Sequence, residues 1–273
     1  KITYFYIKNI TDLRKINNFT SKHKYSFVII DTYKVKSKLI KNINISKKNI
    51  FCFDDFCTKK ITTNLINQNP YFKKTDYIKN KYKIYAGEKY TLINQNFKKR
   101  KVTFSKFNFL ISCGYFDQKK NLIKIINFLK ILNDELNLNV FIALNKSAKQ
   151  FTFIKNTISK YKNFKLISSK RKYLEALNLC NISITTLGVS VWERFYIGIP
   201  CMVFSKEKRE NIILKKLIKN KAILKYYINN NSKNLNYFRN LSKFKKKLKK
   251  ISNKNKKILE KNKVNEYTKI LVN

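Results

Sequence analysis

The chain contains 273 residues and has a formal net charge of +46, from 61 Lys and Arg against 15 Asp and Glu. This length is enough for two domains, and apolar runs such as 27–30 are far too short to span a membrane. No small-residue cleavage site follows an N-terminal apolar run, so no signal peptide is predicted. The five cysteines are scattered, odd in number and without zinc spacing, which favours reduced thiols in a cytoplasmic protein that has no metal site.

The positive charge has two explanations. A basic surface attracts nucleic acid or an anionic membrane surface, whereas drift toward A/T-rich codons raises Lys together with Asn, Ile, Tyr and Phe. Drift explains the abundance of Asn and Ile as well, while nucleic-acid binding explains only Lys. We therefore predict no specific nucleic-acid partner, although a basic surface still favours an anionic substrate.

In the N-terminal part, short apolar strands alternate with helices. The pattern predicts strands at 2–7, 26–31, 50–55 and 65–68, and a helix at 11–19. This order favours a doubly wound parallel sheet, in which residues at the carboxyl ends of strands line the ligand crevice. The candidates at these ends are Asp31, Tyr33, Asp54, Asp55, Asn67 and Asn69.

The second half continues the same alternation. Strands are predicted at 107–112, 140–144, 164–167, 182–186 and 201–204, and helices at 120–132, 173–179 and 212–220. A short helix that carries Glu193 is predicted between the last two strands and ends at Gly198. Apolar residues at helical spacing in the tail, 232–273, predict an amphipathic helix. This helix is expected to pack back on the domain, with a basic membrane-surface helix as the alternative.

Two glycine turns in this half have the form of a nucleotide-binding unit. The turn at Gly188 lets a phosphate approach the backbone, and the following helix N-terminus offers free N–H groups and the positive end of a dipole. Glu193 follows one to two turns later, where its two acceptor oxygens suit the hydroxyl pair of a ribose. The alternative is an ordinary strand–helix–strand unit with a surface glutamate. At Gly114 the next residues are Tyr115 and Phe116, which are bulky for a turn that holds phosphate.

Four segments carry a resemblance to a known family. One is Gly188 with Ser190, 192–194 and 198–200. The other three follow one another in chain order and are 53–55, 65–69, and Gly87 with Tyr90, Leu92, Ile93 and Phe97. Together they resemble the UDP-diacetamido-trideoxyhexose hydrolases of pseudaminic-acid biosynthesis. That family is related to the lipid-II-forming N-acetylglucosaminyltransferase.

The resemblance implies an α/β fold with two Rossmann-like domains of the glycosyltransferase-B type, the first of them incomplete. The expected bounds are 1–104 for the acceptor and sugar side, 105–231 for the UDP-binding domain and 232–273 for a basic helical tail. The implied activity is hydrolysis of a UDP-sugar, without a cofactor or metal. Tyr33 is expected near the reacting sugar as a catalytic residue. The expected substrate-binding residues are Gly114, Asp117, Gly188, Ser190, Glu193 and Asn211.

The family begins with a Gly-x-Gly-His turn whose histidine is thought to activate water, and this motif does not occur in the chain. The only histidine, His23, is expected to be a solvated loop residue. The chain is therefore expected to be an N-terminally truncated fragment or a degenerate relative. Two alternatives to a hydrolase stay open: a glycosyltransferase of the same fold with a UDP-sugar donor, and a basic nucleic-acid-binding protein.

Overall fold

The computed structural model describes residues 13–22, 27–31, 40, 42–55, 64–77, 83–94, 96–114, 117 and 120–262. The chain divides into two compact units, Lys1–Leu92 together with Lys261–Asn273, and Ile93–Glu260. These units differ from the expected bounds of 1–104, 105–231 and 232–273, because most of the expected tail belongs to the second unit. The domain bounds proposed from the sequence stay a prediction.

The first unit is built on a four-stranded parallel sheet with the strand order β1-β2-β3-β4. Its elements are α1 (Leu13–Lys22), β1 (Val28–Ile30), β2 (Ile50–Phe53), β3 (Asn64–Asn67) and β4 (Ile84–Ala86), with short 3-10 helices at Lys47–Asn49, Lys74–Asp76 and Glu88–Tyr90. Three predicted strands and the helix are confirmed, while β4 was not predicted. The strand predicted at 2–7 and the side chain of Tyr33 lie outside the described residues.

Polar residues at the carboxyl ends of β2 and β3 hydrogen-bond to one another. Asn67 is fully buried and donates from Nδ2 to the Tyr77 hydroxyl at 3.0 Å, and this hydroxyl donates to the carbonyl oxygen of Asp54 at 3.1 Å. The Asn67 side chain also accepts from the N–H of Asn69 at 2.9 Å. These contacts stabilise the loops at this edge, because buried polar groups need hydrogen-bond partners.

The second unit contains a six-stranded parallel sheet with the order β10-β9-β8-β5-β6-β7. Its strands are β5 (Asn108–Ser112), β6 (Asn139–Ala143), β7 (Phe164–Ile167), β8 (Ile182–Thr186), β9 (Cys201–Phe204) and β10 (Leu224–Lys225). The chain builds outward from β5 to β7 and then returns to the other side of β5 with β8. The strand order therefore reverses between β5 and β8, which is the point where open α/β sheets bind ligands.

Helices cover this sheet and supply much of its core. They are α2 (Asn121–Leu136), α3 (Phe151–Ile158), α4 (Lys170–Leu179), α5 (Val189–Ile197), α6 (Asn211–Lys219), α7 (Asn231–Leu235) and α8 (Leu241–Ile258), with 3-10 helices at Lys208–Glu210 and Leu259–Lys261. The side chains of Phe109, Phe128 and Leu129 are fully buried in one cluster. Of these elements, α3, β10 and the 3-10 helices were not predicted, and the helix predicted in the tail is divided into α7 and α8.

The amphipathic helix predicted in the tail is present as α8, and its apolar face belongs to this core. Phe244, Leu248 and Ile251 are buried at the spacing of three and four residues that places side chains on one helix face. The Phe244 ring lies 4.6 Å from that of Phe238, centroid to centroid. Lys246, Lys249 and Lys250, which lie on other faces of α8, are exposed.

No helix in the described part of the chain is both long enough and apolar enough to cross a membrane.

Candidate functional site

Three loops meet at the carboxyl edge of the second sheet. The parallel strands β5, β8 and β9 are adjacent and end at nearly the same level, because Ser112 of β5 pairs with Thr185 of β8, and Thr186 of β8 pairs with Phe204 of β9. Gly114, Gly188 and Lys206 each follow two residues after the end of one of these strands. The adjacent strands thus bring the loops that carry these three residues to the same edge, at the point where the strand order reverses.

A cavity of about 380 Å³ opens at this edge. Its size lies in the range of small-molecule sites. Apolar side chains from β6 and β7 form part of its wall, and hydroxyl groups form much of the rest. The lining residues are Ser112, Gly114, Ala143, Leu144, Asn145, Ile167, Ser168, Ser169, Lys170, Tyr173 and Ser190. Gly114 and Ser190, both predicted from the sequence, therefore line one cavity.

Helix α5 begins at this cavity without a side-chain cap. Its N-cap is Gly188, with φ 154° and ψ 178°, a conformation that glycine alone adopts easily. No atom lies within 4 Å of the position that a Cβ of Gly188 would occupy. At α4, by contrast, the Ser169 hydroxyl accepts from the N–H of Lys172 at 3.3 Å. The N-terminus of α5 therefore presents backbone and a positive dipole end to open space.

The N-terminus of α2 is occupied by a carboxylate. Asp117 is 3% exposed, and its two oxygens accept from the N–H groups of Asn121 at 3.0 Å and Leu122 at 2.8 Å. Burial raises the pKa of Asp117, and the two backbone bonds oppose this shift. The side chain thus fills the place where an anion would bind to α2. A direct contact of Asp117 with substrate stays a prediction.

Glu193 lies in the second turn of α5 and is half-buried. Burial raises the pKa of its carboxyl group, and the neighbouring Arg194 opposes the shift. A carboxyl group whose pKa is higher in the folded chain stabilises the fold most below its ordinary pKa. Its contribution then falls as the pH rises through the raised value.

We therefore expect Glu193→Gln to gain stability relative to the wild type as the pH rises from about 4 toward neutrality, because the amide cannot ionise. Thermal unfolding of both proteins across this range measures the difference. Glu175→Gln, at an exposed position of α4, is the control for replacing a glutamate by its amide. A Glu193→Gln difference that stays constant with pH would show that burial does not perturb this carboxyl group.

Arg194 was noted in the sequence only as part of a motif, and the structure gives it a central position. Its side chain is fully buried. Nη1 donates to the carbonyl oxygen of Ser190 at 2.8 Å, and Nη2 donates to the hydroxyls of Ser112 at 2.8 Å and Tyr173 at 3.2 Å. The guanidinium therefore ties α5 to β5 and α4 behind three residues that line the cavity. Arg194 follows Val191 by three residues, which puts both on the same face of α5. This spacing is the feature of the sequence that could have predicted the burial of Arg194.

Asn211 begins α6 and is exposed, and its side-chain oxygen accepts from the Ser205 hydroxyl at 2.7 Å. It does not line the cavity. Tyr33 lies outside the described residues. Within the described part of the chain, no three His, Cys, Asp or Glu side chains are grouped so that they could hold a metal ion.

Comparison with known proteins identifies similar folds. No family model matches the chain. The spore coat polysaccharide biosynthesis protein SpsG of Bacillus subtilis (strain 168) is 22% identical over 143 residues, which are 51% of this chain and 42% of that protein. The match therefore spans less than half of the length of this curated relative.

Three solved structures resemble most of the chain. MurG from Acinetobacter baumannii has a TM-score of 0.67 and 12% identity, and the match covers 96% of this chain and 77% of MurG. The spinosyn rhamnosyltransferase SpnG has a TM-score of 0.68 and 12% identity, with coverages of 96% and 76%. MnaA from S. aureus, solved with UDP, has a TM-score of 0.60 and 10% identity, with coverages of 98% and 83%. The chain therefore has the two-domain Rossmann-like α/β fold of the glycosyltransferase-B type.

Proposed function

We propose that this chain is an enzyme that binds a UDP-sugar at the carboxyl edge of the second sheet. The observation that carries the proposal is the cavity at the point of strand-order reversal, next to a helix N-terminus without a side-chain cap. The similarity in fold to a protein solved with UDP and to a rhamnosyltransferase supports it. So does the match to a polysaccharide biosynthesis protein.

The proposed role of each residue rests on its position or on the motif to which it belongs. The cavity at the carboxyl ends of β5, β6 and β7 accepts the nucleoside. The open N-terminus of α5, which begins at Gly188, faces the diphosphate. Glu193 accepts hydrogen bonds from the ribose hydroxyls, and Ser190 and Gly114 form the wall between these parts. Arg194 holds α5 in place from behind. Asn211 is proposed for the sugar on the basis of the motif alone, as is Tyr33.

For the reaction, we propose hydrolysis of a UDP-diacetamido-trideoxyhexose. The oxygen of water forms a bond to the anomeric carbon, the bond from that carbon to the diphosphate oxygen breaks, and UDP leaves with the electron pair, while the proton that the attacking water loses passes to solvent. The support is the ordered set of motifs around 53–55, 65–69 and 188–200. The second candidate is transfer of the sugar to another acceptor, which the likeness to a rhamnosyltransferase favours.

Release of UDP separates the two reactions. The protein is incubated with UDP-diacetamido-trideoxyhexose, with and without sugar or lipid acceptors, and free UDP is measured. Hydrolysis predicts release that does not depend on an acceptor. Release that requires an acceptor would replace hydrolysis by glycosyl transfer. A protein that neither binds UDP in calorimetric titration nor releases it would contradict both.

A further inference from the structure

The loop that follows β9 is held in one conformation by its own side chains. The N–H of Lys206 donates to Oε2 of Glu210 at 2.6 Å, and the Ser205 hydroxyl donates to Asn211 at 2.7 Å. Glu210 is 8% exposed, so the first of these bonds is largely shielded from water. The backbone of Lys206 is therefore positioned before any ligand binds, which lowers the entropy cost of using its side chain.

The ammonium group of Lys206 reaches the wall of the cavity. A Cβ placed on Gly114 would lie 3.3 Å from Nζ of Lys206, so this nitrogen rests against a residue that lines the cavity. Gly114 has φ 87°, which favours glycine, and its missing side chain leaves room for the ammonium group. Lys206 is half-buried, which reduces the screening of its charge by water.

Asp117 is one acidic group near this ammonium. Asp117 is buried, and both of its oxygens accept from the N–H groups at the start of α2. Lys206 lowers the pKa of Asp117, although burial has the larger and opposite effect. The ammonium of Lys206 and the dipole end of α5 bring positive charge to this edge, where Glu193 and Glu210 are further acidic residues.

We infer that Lys206 binds the diphosphate of the nucleotide, together with the open N-terminus of α5. This inference rests on the proposed function and adds a residue that the motifs do not include. It also explains how a chain with Tyr115 and Phe116 after Gly114 holds a diphosphate. A long cationic side chain from the neighbouring strand supplies the charge, in place of contacts from small residues in the turn.

The test compares uridine, UDP and inorganic diphosphate as ligands in calorimetric titration. Lys206→Met is expected to weaken UDP and diphosphate on the order of 10-fold, because one charged contact is lost. Uridine should bind both proteins equally. Lys206→Arg, which keeps the charge, should retain most of the affinity. Lys208→Met, an exposed lysine of the same loop, is the matched control for the change in net charge and should bind UDP like the wild type.

Salt gives a second readout. Raising NaCl from about 0.05 M to about 0.5 M should weaken UDP binding more in the wild type than in Lys206→Met, since screening acts on the contact that the variant lacks. Circular dichroism establishes that each variant is folded.

The outcomes separate this inference from the proposed function. If Lys206→Met binds UDP as the wild type does, Lys206 does not contact the diphosphate and the inference is wrong. If the variant loses affinity for uridine as much as for UDP, Lys206 acts only by maintaining Asp117 or the shape of the cavity, and the inference is wrong as well. If Glu193→Ala weakens UDP in the same experiment, the proposed function still stands. If the wild type binds inorganic diphosphate through Lys206 but does not bind uridine, the anion site stands and the nucleotide function fails.

Discussion

Leu248→Ala is expected to lower the free energy of unfolding of the second unit by ~2–5 kcal/mol, the range for truncating a buried leucine. Leu248 is fully buried in α8 and belongs to the cluster that also contains Phe109 and Phe128. Alanine favours helix at least as well as leucine, so the loss comes from the cavity and not from helix propensity.

Urea unfolding measures this effect. The fluorescence of Trp192, the only tryptophan, reports on the second unit because this residue is buried in α5. Lys249→Ala changes the next residue of α8, which is exposed, and should alter stability by less than about 0.5 kcal/mol. If Leu248→Ala were as mild as this control, α8 would not be part of the core. The alternative of a basic membrane-surface helix would then be favoured.

Glu193→Ala is expected to weaken UDP binding by ~1.5–3 kcal/mol, the range for hydrogen bonds to a charged group. This corresponds to about 10-fold to 150-fold in the dissociation constant. The physical reason is that a half-buried carboxylate loses part of its hydration, and the ribose hydroxyls restore those hydrogen bonds when UDP binds. Calorimetric titration with UDP measures the change.

The control for this experiment is Glu175→Ala. Glu175 is exposed on α4 and forms an ion pair of 3.6 Å with Arg171, one turn away. Removing it changes the net charge by the same amount and should leave UDP affinity nearly unchanged. Equal affinity of the wild type and Glu193→Ala, with the fold intact, would remove Glu193 from the site. The nucleotide would then have to bind through the cavity and the α5 N-terminus alone.

Most of the second sheet could be predicted from the sequence. The strands at 164–167, 182–186 and 201–204 have the predicted bounds, and the predicted helix after Gly188 is α5. The strands β8 and β9 are buried at every position and consist of apolar and small β-branched or hydroxyl residues, and polar, proline or glycine residues near their ends make their limits visible. The parallel order also followed from the alternation of strands with helices.

Elements with ambiguous local preference were decided by tertiary contacts. Residues 151–158 are rich in β-branched and aromatic side chains, yet they form the helix α3. Ile154 and Ile158 share one helix face and are buried in the core, and this packing outweighs the local preference for a strand. The strand β10 has only two residues, which are too few to show the alternation of buried and exposed side chains that is typical of a strand.

The chemistry of the site depended on the tertiary structure most of all. The sequence placed Gly114, Asp117, Gly188, Ser190 and Glu193 near strand ends, because turn residues and strand limits are local properties. The N-terminus of α2 is capped because the side chain of Asp117 accepts hydrogen bonds from its backbone, whereas the N-terminus of α5 has no side-chain cap. The direction of such a side chain is a property of the tertiary structure. The hydrogen bond from Arg194 to Ser112 joins residues that are 82 positions apart in the chain. The approach of Lys206 to Gly114 joins residues that are 92 positions apart. Contacts over such distances arise from the order of strands in the sheet, which no local pattern contains.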